Sequence, residues 1–134
     1  MRILQVIVEP DHVVVRLEAR RKFARCPGCG RRSRWIHSRY ARKAWDLPCV
    51  GRPMTLLIQS RKFFCGNRRC SRKIFTERFP SVLTSYGRRT ERSKQVLLEL
   101  VHLRHAEHAA RVARLGGYPV SPDTLIRMRR LERF

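Results

Sequence analysis

Four of the chain's five cysteines fall into two close pairs. Cys26-Pro27-Gly28-Cys29 is followed, after 35 residues, by Cys65-Gly66-Asn67-Arg68-Arg69-Cys70. Two short-spaced pairs at this separation supply four thiolates to one tetrahedral zinc ion. Two or four intervening residues let both sulfurs of a pair turn toward one point, and Gly28 and Gly66 are expected to relieve the backbone crowding there. A redox pair is the competing chemistry, but it usually opens a helix in a thioredoxin-like unit. That context is missing, and redox chemistry leaves the second pair unexplained. Cys49 stands alone between Pro48 and Val50 and is read as a non-ligand; His37 is the substitute ligand if one cysteine is not used. With all four positions filled by protein, the zinc is structural: no open position remains to activate water.

The elements that carry these thiols follow from the pattern around them. "RILQVIV" and "HVVVRLEA" are rich in β-branched residues, and "EPDH" between them is turn chemistry, which predicts an N-terminal β-hairpin. Further strands are expected at Arg34–Ser38, Met54–Phe64 and Lys73–Glu77, with residues 46–53 as a loop. These returning strands and the cysteine pairs make a zinc-ribbon layout, a small sheet to which the metal supplies folding free energy.

From Thr90 the period becomes helical, with Val96, Leu97, Leu100, Val101 and Leu103 near one face. Residues 106–115 are alanine-rich and helical, and "GGYPV" ends that helix. Ser121 then serves as N-cap, with Pro122 at the first position and Asp123 in the first turn. This is a helix-turn-helix arrangement. Leu125, Ile126 and Met128 would face the preceding helices. Asp123, Arg127 and Arg130 fall roughly opposite, with Thr124 at the margin. The fold class is therefore α+β: a β-hairpin and zinc-ribbon sheet over residues 1–80, then a helix-turn-helix bundle over 81–134, joined near 79–89.

Charge narrows the partner. Lys plus Arg is 31 against 10 acids, a net charge of +21, and 26 of the 31 are arginine. Such an excess calls for a polyanion, and the guanidinium fork suits phosphate. Arg31, Arg32, Arg34, Arg68, Arg69 and Arg72 sit beside the cysteines and are placed to grip a nucleic-acid backbone; Thr124, Arg127 and Arg130 are placed to meet a groove. No window approaches a membrane span, and the N-terminus breaks too early for a signal peptide. A soluble cytoplasmic chain with reduced thiols is expected. His102, His105 and His108 read as helix-surface residues, and no nucleophile–base pair is visible, so catalysis is not expected.

"CPGCG…DLPCVGRPMTLLIQSRKFFCGNRRCSRKIFTERFP" resembles the N-terminal zinc finger of ISL-type insertion-sequence transposases, and "AARVARLGGYPVSPDTLIRMRR" resembles the helix-turn-helix that follows it in that family. Cys26, Cys29, Cys65 and Cys70 occupy the family's zinc-ligand positions. Those transposases continue into a catalytic domain of ribonuclease-H type with a carboxylate triad, and this chain departs from them by stopping shortly after Arg130. The resemblance implies the DNA-recognition half of a transposase without strand-transfer chemistry, either a truncated or decayed product or a short form that represses transposition. It implies one structural zinc and binding to duplex DNA at terminal inverted repeats, with homo-oligomers or mixed oligomers with full-length transposase as further partners. The alternatives are a stand-alone RNA-binding zinc ribbon and a transcriptional repressor.

Overall fold

The computed structural model describes residues 1–133. Strand β1 (Arg2–Val8) runs antiparallel to β2 (Val13–Glu18), and the Glu9 N–H closes the turn on the His12 carbonyl at 2.9 Å. Two short strands, β3 (Ala24–Arg25) and β4 (Arg32–Ser33), pair with each other. The long strands β5 (Ile36–Cys49) and β6 (Arg52–Phe64) form the centre of the molecule, and β7 (Ile74–Thr76) adds to the far half of β6. The main sheet is ordered β1-β2-β6-β5, with β2 and β6 parallel and its other strand pairs antiparallel.

Alternation explains which face is covered. Val13 and Val15, Leu56 and Ile58, and Ala44 lie at cross-strand positions of one face and are buried together beneath Phe79 and Leu83. Full burial of each large aliphatic side chain contributes about 1.5–3 kcal/mol. A smaller core of Cys26, Phe63 and Phe75 lies beside the cysteines.

Residues 46–53, expected as a loop, are mostly strand. β5 continues to Cys49, β6 starts at Arg52, and only Val50 and Gly51 turn the chain. Pro48 has no N–H to donate, yet β5 is an edge strand and its register shifts between Asp46 and Cys49, so the missing donor is tolerated. Both turn residues have positive φ, 51° at Val50 and 73° at Gly51. This is the two-residue hairpin geometry that favours Asn-Gly and penalises a β-branched residue.

The helices are α1 (Glu91–Leu103), α2 (Ala106–Leu115) and α3 (Pro122–Glu132). Thr90 caps α1 by accepting from the Ser93 N–H, and Ser121 caps α3 by accepting from the Thr124 N–H at 3.2 Å. Their shared core is Leu97, Leu98, Val101, Ala109, Ala110, Ala113, Val120 and Leu125. The expected face of α1 is displaced: Ser93 and Leu98 are inside, whereas Val96 and Leu103 are exposed. Alanines on α2 let the helices approach closely, so the α1 face is set by where α2 lies rather than by hydropathy alone.

The segment 79–90 straps the helices to the sheet. The Trp45 N–H donates to the Arg88 carbonyl at 2.9 Å, and the Thr90 N–H donates to the Trp45 carbonyl at 2.8 Å. Asp46, 2 % exposed, accepts from the Thr90 hydroxyl and from Arg92 Nε, each at 2.7 Å. Burial raises the Asp46 pKa, but Arg92 and Thr90 outweigh it and hold the carboxyl below the usual carboxylate range. Gly117, at φ 96°, lies against the β5–β6 turn, where an added Cβ would come within 2.5 Å of the Gly51 carbonyl oxygen.

Two substitutions at this junction should move stability in opposite directions in thermal melts. Val50→Asn should gain about 1 kcal/mol by relieving the left-handed valine. Gly117→Ala should lose at least ~2 kcal/mol through the clash and its positive φ. Asp46→Ala should cost about 2–3 kcal/mol by leaving Thr90 and Arg92 without their acceptor. Because the folded pKa of Asp46 is depressed, its contribution is present above the unfolded carboxylate value and lost as pH falls through the folded one. The alanine variant should therefore show a flatter acid limb in the same melts.

Candidate metal centre and nucleic-acid interface

Each cysteine pair sits on a knuckle built by backbone hydrogen bonds. In the first, the Gly30 N–H donates to the Cys26 carbonyl at 2.7 Å and the Cys26 N–H to the Arg31 carbonyl at 3.0 Å. Gly30 takes the left-handed conformation at φ 75°. In the second, the Cys70 N–H donates to the Asn67 carbonyl at 3.1 Å, and the Asn67 side chain accepts from the Arg69 N–H at 3.0 Å. Arg31 donates to the Gly66 carbonyl at 3.3 Å and so links the two knuckles. A Cβ on Gly28 would lie 3.2 Å from the Cys70 sulfur, so this glycine makes room for the partner thiol. Gly66, given the same role from sequence, does not share it, because a Cβ there meets nothing within 4 Å.

The four sulfurs converge. Cys26, Cys29, Cys65 and Cys70 place their Sγ atoms within 4.8 Å of one another, with 3.9 Å between Cys26 and Cys70 and 3.7 Å between Cys29 and Cys65. A tetrahedron of thiolates at ~2.3 Å from zinc has edges of about 3.8 Å. The donor set and spacing therefore fit a single structural zinc site. Cys49 packs instead against the main sheet core, and His37 lies outside the cluster with its ring nitrogen 2.9 Å from the Ser38 hydroxyl.

The thiols are unequal before metal arrives. The Arg31 backbone N–H and the Asn67 side chain bring Cys29 down to about 6. Cys65 is pulled down by the Asn67 N–H, but burial and the neighbouring thiols prevail and push it up to about 11. Cys29 thus ionises before Cys65, and zinc must displace the proton of Cys65.

The acids of the ribbon are withdrawn from its surface. Residues 19–90 contain only Asp46 and Glu77, 2 % and 5 % exposed. Asp46 is held by Thr90 and Arg92, while Glu77 accepts from Arg61 Nε at 3.0 Å and from the Arg61 N–H at 3.2 Å. Arg31, Arg32, Arg34, Arg68, Arg69 and Arg72 are all exposed, and among the described residues none pairs with an acid. Arg32 lies 4.6 Å over the Phe23 ring, and the Arg72 stem runs beside Gly28. On α3, Arg127 and Arg130 are exposed, whereas the Thr124 hydroxyl is engaged with Ser121 at 2.9 Å. Sequence reasoning missed the burial of Asp46 and Glu77. The signal was the isolation of each in a long run free of other acids.

Residues 22–70 match the zinc-finger of transposase IS204/IS1001/IS1096/IS1165. The matched segment begins just before β3 and ends at Cys70, so it contains all four thiols and the β5–β6 hairpin between them. This part of the chain is similar to a transposase zinc-finger, and its four clustered thiols agree with that likeness. No curated protein and no solved structure matches the chain. No helix among the described residues is long and apolar enough to cross a membrane.

Elemental analysis should find one zinc per chain, retained in Cys49→Ser and lost in Cys65→Ser. Zinc affinity should fall as pH drops below neutral, because protons compete for the thiolates. Titration against a chelator at stepped pH checks the direction.

Proposed function

We propose that the chain binds duplex DNA at transposon terminal inverted repeats, as the DNA-recognition part of a transposase. The observation that carries this reading is the surface around the metal centre: within residues 19–90 both acids are buried, the arginines beside the cysteines pair with no acid, and the metal site holds both knuckles that carry them. Residues 1–80 are the ribbon unit in this reading and 81–134 the recognition unit, with α2 and α3 acting as a helix-turn-helix. Arg127 and Arg130 meet base edges or adjacent phosphates from the exposed side of α3, with Thr124 at the margin of that contact. Arg31, Arg32, Arg34, Arg68, Arg69 and Arg72 neutralise backbone phosphates on either side of the zinc. The match of residues 22–70 to a transposase zinc-finger supports the assignment.

The role is binding rather than catalysis, since four protein thiolates fill the zinc's coordination and leave no position for substrate. Self-association, or mixed association with full-length transposase, belongs to the same reading, and so does a cytoplasmic location.

Duplex affinity should fall steeply with salt, with close to one unit of log–log slope for each phosphate neutralised. Arg68→Ala/Arg69→Ala should lower both affinity and slope, uniformly across sequences. Arg127→Ala should weaken a motif recovered by unbiased DNA selection more than random duplex. A flat salt response, or stronger binding to structured RNA than to duplex DNA, would count against the reading, because a groove-reading helix cannot enter the deep, narrow major groove of A-form RNA.

A further inference from the structure

One aromatic group on the ribbon has no counterpart in duplex binding. Trp35 is 65 % exposed, the most open tryptophan or phenylalanine among the described residues. It is nevertheless fixed in place. Its N–H donates to the Ser33 hydroxyl at 3.2 Å, and its carbonyl accepts from the Phe64 N–H at 2.8 Å. The Ser33 hydroxyl in turn donates to the Phe64 carbonyl at 2.6 Å. The indole packs on the Phe64 ring at a tilt of 35°, 4.3 Å between centroids, while His37 meets the same ring edge-on at 5.0 Å. Phe64 immediately precedes the ligand Cys65, so the metal centre steadies the base of the stack. Phe63, the next residue back, points into the small core with Cys26 and Phe75.

A tryptophan needed only to cover Phe64 would gain more by turning inward. Here the Trp35 backbone is held by hydrogen bonds on both sides, the indole rests on Phe64, and its outer surface stays open. Its surroundings specify a partner. Arg32 and Arg34 flank Trp35 in sequence and are exposed, and no acid lies between Glu18 and Asp46. A flat π-surface beside unpaired cations matches a nucleobase with its phosphates. A fully paired duplex keeps its base faces inside its own stack, so this surface can be used only where bases are unpaired.

We infer that Trp35, backed by Phe64 and His37, is a stacking site for an unpaired nucleotide of DNA, with Arg32 and Arg34 taking its flanking phosphates. This deepens the duplex-binding reading and rests on it only for the source of the DNA: a strand that leaves the duplex passes over the ribbon and stacks there.

Three DNA probes separate the two ideas: a closed dumbbell duplex with no free ends, the same duplex carrying a single-stranded thymidine tail, and a thymidine oligomer alone. The zinc-loaded chain should bind the tailed duplex about 5- to 150-fold more tightly than the dumbbell, the range expected for stacking one base. Trp35→Ala should remove that advantage and leave dumbbell affinity and zinc content unchanged, while Trp35→Phe should retain most of it. Trp35→Leu keeps an apolar cover over Phe64 without a stacking face, so it decides the matter if the alanine variant loses zinc. Equal affinity of wild type and Trp35→Leu for the tailed duplex would overturn the inference, as would equal losses on tailed and closed DNA. If the dumbbell fails to bind while the oligomer binds in a Trp35-dependent way, the duplex reading falls and the stacking site stands.

Discussion

The ribbon depends on four sulfurs being drawn to one point. The core beside them is small, with only Cys26, Phe63 and Phe75 buried, and one of these three is itself a ligand. Burial of two phenylalanines is worth a few kcal/mol at most, against a conformational cost of about 1–2 kcal/mol for each backbone residue fixed. The two knuckles, unlike the β5–β6 hairpin packed in the main core, cannot be held together by that small core alone. Zinc supplies the difference by joining residues far apart in sequence, and it sets the spacing of the two arginine-bearing knuckles.

The second constraint is the placement of negative charge. A chain of net charge +21 repels itself, and its two ribbon carboxylates are used where they relieve that most. Glu77 ties β7 to β6 through Arg61, and Asp46 ties β5 to the start of α1 through Thr90 and Arg92. Both acids are spent inside, so the exterior of residues 19–90 carries no exposed acid. The same Asp46 contact, with the strap of residues 79–90 and the seat of Gly117 on the β5–β6 turn, gives the helices a fixed place on the sheet. Fold and binding surface thus arise from one distribution of charge.

What sequence made legible was local chemistry. The cysteine spacing announces a metal site because ligand geometry restricts the intervening residues, and Ser121-Pro122 announces a helix start because both residues answer the same unsatisfied N–H groups. What it hid depended on tertiary neighbours. Residues 46–53 look like a loop because Pro48 and Gly51 break a strand pattern, yet an edge position and a register shift absorb the proline. The buried face of α1 includes Ser93 and excludes Leu103, a choice that hydropathy alone does not make. Gly28 and Gly66 are equivalent in sequence, and only one has a neighbour's sulfur against it. The aromatic residues are likewise indistinguishable by type: Phe63 is wholly buried and Trp35 is open, a difference that only their tertiary neighbours decide.

The most direct test of the metal centre on which this account rests is zinc-edge X-ray absorption on the purified chain. One zinc surrounded by a single shell of four sulfurs at about 2.3 Å is the expected result. A shell containing nitrogen or oxygen, or a folded chain that holds no zinc, would contradict it.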